Sequence, residues 1–104
     1  MINRGGFKIY SAEVENVLTA YPGVVEAAVV GRPCPVLGER VEAFLMVAKP
    51  LDEGELRAFC LARLSDYKAP ERFRMQSEPL PRNANGKLQK APLRAIIAAE
   101  GGGA

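Results

Sequence analysis

The sequence predicts an α+β domain, a small mixed sheet with helices packed against it, on three observations. Apolar patterns with strand and helix periods follow one another in the order β-α-β-β-α-β-loop-α, which suits a short mixed sheet with helices packed against it. The chain has no internal repeat and no long linker. Its 104 residues suffice for one core and are too few for two, so residues 1–104 are read as a single domain.

The first ten residues are glycine-bearing and then strand-like, with Phe7 and Ile9 alternating with Lys8 and Tyr10. Ser11 offers an N-cap, with Glu13 and Glu15 in the turn after it. Val14, Val17, Leu18 and Tyr21 form one apolar helical stripe, and Pro22-Gly23 ends it. Val24 to Val30 is broken only by Glu26 and suits a central strand covered on both faces. Gly31 to Gly38, with Pro33 and Pro35, is expected to be a loop. Val41, Ala43, Leu45 and Val47 share one face of the next strand, and Arg40 and Glu42 begin the other.

Asp52 and Glu55 have the spacing of a capping box for a helix carrying Leu56, Phe59, Cys60 and Leu64, which Tyr67-Lys68-Ala69-Pro70 stops. Arg72 to Gln76 reads as a short strand. Pro79, Pro81 and Asn83-Ala84-Asn85-Gly86 make a loop of turn residues. Leu93, Ile96 and Ile97 mark a last helix with Pro92 near its start, and Gly101 to Gly103 read as a frayed tail.

Composition narrows the chemistry. A net charge of +2 with scattered basic residues gives no footprint for nucleic acid. No apolar run approaches the roughly 20 residues of a membrane span. The opening Met1 to Gly6 lacks the apolar stretch of a secretory signal, so a cytoplasmic domain is expected. The absence of histidine excludes a Ser-His-Asp triad, a Cys-His pair and a histidine metal site within this chain. Cys60 is read as a small core residue. Cys34, between two prolines, has no evident basic neighbour to activate its thiol.

The most unusual stretch runs from Leu80 to Lys90. Taken alone, Asn85-Gly86 reads as a plain hairpin turn with lysines around it. It is not a phosphate-binding P-loop, since Pro81 stands where a glycine is needed and Leu88 follows the lysine in place of Ser or Thr. Pro81 stiffens the loop and Gly86 permits a kink before Lys87. That holds an ammonium on a protruding tip, able to bridge a phosphate oxygen and a carboxylate oxygen.

Pro81-Arg82-Asn83-Ala84-Asn85-Gly86-Lys87-Leu88-Gln89-Lys90 resembles the last core motif of the adenylate-forming superfamily, close to Pro-Arg-(Thr/Asn)-x-x-Gly-Lys-x-x-(Lys/Arg). Arg4-Gly5-Gly6-Phe7-Lys8-Ile9 with Ala12-Glu13-Val14-Glu15, Gly38 to Ala43, and Leu64 to Pro70 resemble further segments of that superfamily's small C-terminal domain, in the right order. The resemblance covers nearly the whole chain. It implies a mixed sheet of about three strands with packed helices and a short N-terminal hairpin, as in the C-terminal lid domain of these enzymes.

The resemblance also implies a function: the lid of an acyl-CoA synthetase, an ATP-dependent acid–CoA ligase. Such an enzyme converts a carboxylic acid and ATP to acyl-AMP and passes the acyl group to CoA. Lys87 matches the lysine that contacts the carboxylate and α-phosphate, and so the ATP or AMP, in the first half-reaction. Gly5 and Gly6 match the loop that lines the CoA pantetheine tunnel in the second. Asn3 stands where some relatives carry a lysine, and its role is left open. Arg82 and Lys90 are read as support for the loop, and Lys8, Lys68 and Arg40 as surface charges.

Mg²⁺ is expected to be bound mainly through ATP and an N-terminal adenylation domain, which is expected to precede this chain and to read the acid, whether fatty, aromatic or dicarboxylic. By itself the chain is expected to be an inactive fragment. Tyr67-Lys68-Ala69-Pro70 and Leu88-Gln89-Lys90 resemble free-standing acyl-CoA synthetases, such as those of fatty acid metabolism, more than peptide-synthetase domains. The rival reading is a stand-alone basic module binding an acidic protein or ligand.

Overall fold

The computed structural model describes residues 1–100; the tail expected at Gly101 to Gly103 lies outside them. Strands β1 (Ile2–Arg4) and β2 (Phe7–Ile9) form a hairpin, followed by α1 (Ser11–Thr19). Strands β3 (Val24–Cys34) and β4 (Gly38–Val47) come next, then α2 (Glu53–Leu61), a single 3₁₀ turn at Asp66–Lys68, β5 (Arg72–Gln76) and α3 (Ala91–Ala99).

β4 is the centre of the sheet. β3 lies antiparallel along one side of it from Val24↔Val47 to Cys34↔Gly38. On the other side β5 runs parallel, from Glu42↔Arg72 to Met46↔Gln76, and β1 joins through Arg4↔Gly38. The three long strands are those the sequence predicts. The hairpin is attached to them, so the sheet has five strands and is mixed.

Two apolar clusters lie on opposite faces. Val29, Val41, Ala43, Leu45 and Phe73 meet Val14 and Leu18 of α1 and Leu56 and Cys60 of α2. Ala28, Val30 and Phe44 meet Leu93 and Ile97 of α3, with Leu80. Alternation of side chains along each strand produces this, because residues two apart share a face.

Several local expectations are corrected. Gly31 to Cys34 is not loop; it continues β3, and the turn shrinks to Pro35–Leu37. β3 is also an edge strand and not a central one, and that explains how it tolerates Pro33. Val29 donates its N–H outward, away from β4, to Glu15 Oε2 at 2.8 Å. Pro33 has the same parity, so the N–H it lacks would face the free edge.

Ser11 is not a cap. Tyr10 precedes α1 without a side-chain cap, and the Ser11 hydroxyl accepts from Lys90 Nζ at 3.1 Å instead. Asp52 does cap α2, accepting from the Glu55 N–H at 2.9 Å. The Glu55 carboxylate accepts from the Tyr21 hydroxyl at 3.4 Å. α2 ends at Leu61, well before Tyr67, and Leu64 reaches the core from the turn that follows. Phe7 shares a face with buried Ile9 yet stays 55% exposed, because it lies at the hairpin end beyond the helices; it stacks on Tyr67 with ring centres 4.5 Å apart.

Candidate functional site

The loop after β5 is anchored by Leu80, which is buried under α3. It returns on itself as a small hairpin. Arg82 pairs with Leu88, and the Gln89 N–H donates to the Pro81 carbonyl at 2.8 Å. Asn83 organises the tip. Its side-chain oxygen accepts from the N–H groups of Asn85 at 3.0 Å and Lys87 at 2.9 Å, and its own N–H donates to the Lys87 carbonyl at 2.9 Å. Gly86 sits at φ +79°, a conformation that an L side chain adopts at a cost. The Lys87 backbone is thus held at both its N–H and its carbonyl. Its side chain is exposed and, among the described residues, pairs with no carboxylate.

Both stems of the loop are tied by ion pairs. Arg82 meets Glu26 of β3 through two of its nitrogens and donates from the third to the Gly86 carbonyl at 2.8 Å. Glu26 also accepts from the Leu80 N–H at 2.9 Å. The Arg82 guanidinium, then the Leu80 N–H, hold the Glu26 carboxyl below its usual pKa. At the other stem Lys90 Nζ lies 2.8 Å from Glu15 Oε2. Arg82 and Lys90 therefore support the loop, as the sequence suggests. The carboxylates that receive them escaped sequence reasoning. Glu26 did leave a signal, as the one charged residue in an apolar run.

Gly5 and Gly6 are the two-residue turn of the β1–β2 hairpin, at φ +59° and +90°, the signature of a type I′ turn. The Gly5 N–H donates to the Leu37 carbonyl at 2.7 Å, which holds the hairpin against the β3–β4 turn. A Cβ on Gly5 would stand 3.3 Å from Leu37, whereas one on Gly6 would meet nothing within 4 Å. Asn3 curls back on this turn, its side-chain oxygen accepting from the Gly6 N–H at 3.2 Å.

Lys87 and the glycine pair are not brought together. The loop hangs from Glu26, near one end of the β3–β4 ladder, and the hairpin abuts Leu37 at the other. Between Glu26 and Cys34 the strand rises about 26 Å at roughly 3.3 Å per residue.

The charges read as plain surface groups are partly engaged. Lys68 pairs with Glu13 at 3.0 Å and Arg40 with Glu71 at 2.7 Å. Arg40 Nε also lies 3.3 Å from Cys34 Sγ, so the thiol does have a basic neighbour. The Leu37 and Val36 N–H groups and then Arg40 lower the Cys34 pKa, while burial raises that of Cys60. β-Sheet pairing carries Arg40 back to within reach of Cys34, which linear order conceals.

Residues 13–87 match the family described as the AMP-binding enzyme C-terminal domain. The chain belongs to that family. It is 41% identical over 95 residues to the sulfoacetate–CoA ligase of Cupriavidus necator, covering 89% of this chain and 18% of the relative. The solved fatty acyl CoA synthetase of Mycobacterium tuberculosis superposes with a TM-score of 0.89 at 36% identity, covering 96% of this chain and 20% of that one. The o-succinylbenzoate CoA synthetase of Bacillus subtilis in complex with its acyl-adenylate intermediate superposes with a TM-score of 0.84 at 43% identity, covering 89% and 19%. The chain spans about a fifth of the length of the curated relatives it matches.

Among the described residues no helix is long and apolar enough to cross a membrane. Nor do three His, Cys, Asp or Glu side chains there converge to hold a metal ion.

Proposed function

We propose that this domain is the C-terminal lid of an ATP-dependent acid–CoA ligase in the cytoplasm, closing over an N-terminal adenylation domain of the same enzyme. In the first half-reaction a carboxylate oxygen of the acid bonds to the α-phosphorus of ATP and pyrophosphate leaves. In the second the CoA sulfur bonds to the acyl carbon and AMP leaves. Mg²⁺ enters with the nucleotide and the N-terminal domain.

The observation that carries the reading is the separation of two differently built ends. One presents a fixed backbone with an exposed ammonium at Lys87. The other presents a side-chain-free turn at Gly5 and Gly6, open around Gly6. An ammonium suits a place where two anions must approach, and it gains strength as water is excluded. A bare backbone suits close approach to the narrow pantetheine arm. Ends about 26 Å apart along β3 are consistent with the two poses that the family resemblance implies, one for each half-reaction.

Acyl-CoA ligases acting on chemically different acids share this domain, which is consistent with the acid being read by the N-terminal domain. The free thiols Cys34 and Cys60 suit a reducing compartment. The rival reading of a basic module for an acidic partner loses its patch, because Arg82 and Lys90 are already paired with Glu26 and Glu15.

The test uses the full-length enzyme, with whichever acid of a fatty, aromatic and dicarboxylic panel it turns over fastest. Lys87→Ala is expected to slow ATP–pyrophosphate exchange about 100- to 1,000-fold. Thioester formation from supplied acyl-AMP should survive. Equal loss in both half-reactions would sink the assignment.

A further inference from the structure

Arg82 links the Lys87 tip to β3, beside Leu88, which packs on the apolar cluster beneath α3. Arg82 uses its three nitrogens on two acceptors, the Glu26 carboxylate and the Gly86 carbonyl, and the second lies in the peptide that joins Gly86 to Lys87. Glu26 at the same time takes the Leu80 N–H, so one carboxylate on β3 fixes both the start of the loop and, through Arg82, its tip.

Gly86 has φ +79° and open space where a Cβ would be, so its own side of this joint offers no steric guide. The peptide ahead of Lys87 is held instead at its two polar ends, the Lys87 N–H by Asn83 and the Gly86 carbonyl by Arg82. The Arg82 side chain is 42% exposed and that of Glu26 17%, so solvent partly screens the charge attraction between them. Its geometry, however, is specific: a rigid fork spans a carboxylate and a carbonyl at once, which a lysine ammonium on a flexible stem does not reproduce.

We infer that Glu26 and Arg82 are a positioning pair that sets where the Lys87 ammonium arrives at the reacting carboxylate and α-phosphate. The inference rests on the adenylation role proposed for Lys87. Glu26 holds the guanidinium, the guanidinium holds the Gly86 carbonyl, and the Lys87 side chain leaves the loop in one direction. A displacement of about 1 Å at such a group can cost on the order of 100-fold in rate.

The experiment measures both half-reactions in the full-length ligase carrying Arg82→Lys, Arg82→Met or Glu26→Gln, each alone and combined with Lys87→Ala. ATP–pyrophosphate exchange with the fastest acid of the same panel reports adenylation. Release of AMP from supplied acyl-AMP and CoA reports the thioester step and shows that the lid is folded. Each single variant is expected to lower the kcat of adenylation roughly 10- to 100-fold, with little change in KM for ATP, and to spare the thioester step. Arg82→Lys is expected not to rescue. In the Lys87→Ala background none of them should cost anything further.

Full adenylation with Arg82→Lys, equal loss in both half-reactions, or an undiminished extra loss on top of Lys87→Ala would each overturn the pair while leaving Lys87 its role. Lys87→Ala that leaves adenylation intact would remove that role, and the pair with it.

Discussion

Glu42, fully buried on β4, faces Arg32 of β3 across the sheet, with 3.2 Å between its Oε1 and the Arg32 Nε. The two meet as an ion pair without hydrogen-bond alignment. Glu42 Oε2 accepts from Arg74 of β5, and Arg74 reaches on to Glu100 after α3. Four charges thus cross three strands and tie α3 to the sheet. Removing one partner of a buried set strands the others, at about 3–5 kcal/mol. Glu42→Ala is expected to destabilise the domain by that amount in a denaturant titration, and Glu42→Gln by less. A change under about 1 kcal/mol in the alanine variant would show that Arg32 and Arg74 find water instead.

The glycine hairpin offers a way to separate folding from function. At Gly6 the φ of +90° strains any side chain, yet the space around it is open. Gly6→Asn is expected to fold, since asparagine tolerates positive φ better than other residues do. Gly6→Leu should lose about 1–2 kcal/mol from backbone strain alone. In the full-length enzyme both are expected to spare adenylation and slow CoA transfer, leucine more. Acyl-AMP should then accumulate in a quenched-flow time course; loss of adenylation as well would place this turn elsewhere.

Stability should fall in acid for a reason that can be traced to two carboxylates. Arg82, then the Leu80 N–H, holds Glu26 below its ordinary pKa of 4.5, and Arg74 does the same for Glu100. A carboxylate depressed in the folded state contributes fully above its unfolded pKa. That contribution drains away as pH falls through the lower folded value. Melting temperature is therefore expected to hold above about pH 4.5 and to drop below it. Glu26→Gln should flatten the drop; an unchanged profile would assign the acid sensitivity to other groups.

The two cysteines should respond to alkylation very differently. Cys34 Sγ lies 3.4 Å from the Leu37 N–H and 3.3 Å from Arg40 Nε, donors that favour its thiolate. Burial disfavours the thiolate at Cys60, which is fully inaccessible. Iodoacetamide on the folded protein, followed by mass spectrometry, is expected to label Cys34 first. Arg40→Met should slow that labelling, and comparable rates at the two sites would contradict the picture.

Local pattern was a sound guide wherever one element sufficed. The apolar stripe of α1, the Asp52 cap, the alternation of β4 and the turn residues around Gly86 were all legible, because each depends on residues a few positions apart. Nothing in linear order pairs Glu26 with Arg82, Glu15 with Lys90, Arg32 with Glu42 or Cys34 with Arg40. Those contacts form when β3 and β4 align and the loop folds across the edge. The same alignment extended β3 through Gly31 to Cys34, which read as loop, since a proline's effect depends on which way its missing N–H would point.

Linear order was enough for the fold class and for the loop that carries Lys87, since helix and strand periods and turn chemistry are local properties. Only the tertiary structure decided that Lys87 and the Gly5–Gly6 turn stand at opposite ends of the β3–β4 ladder, and that a carboxylate from β3 steadies the tip. Distance between ends and convergence of charges arise when strands pair in register, and register joins residues that the chain keeps far apart.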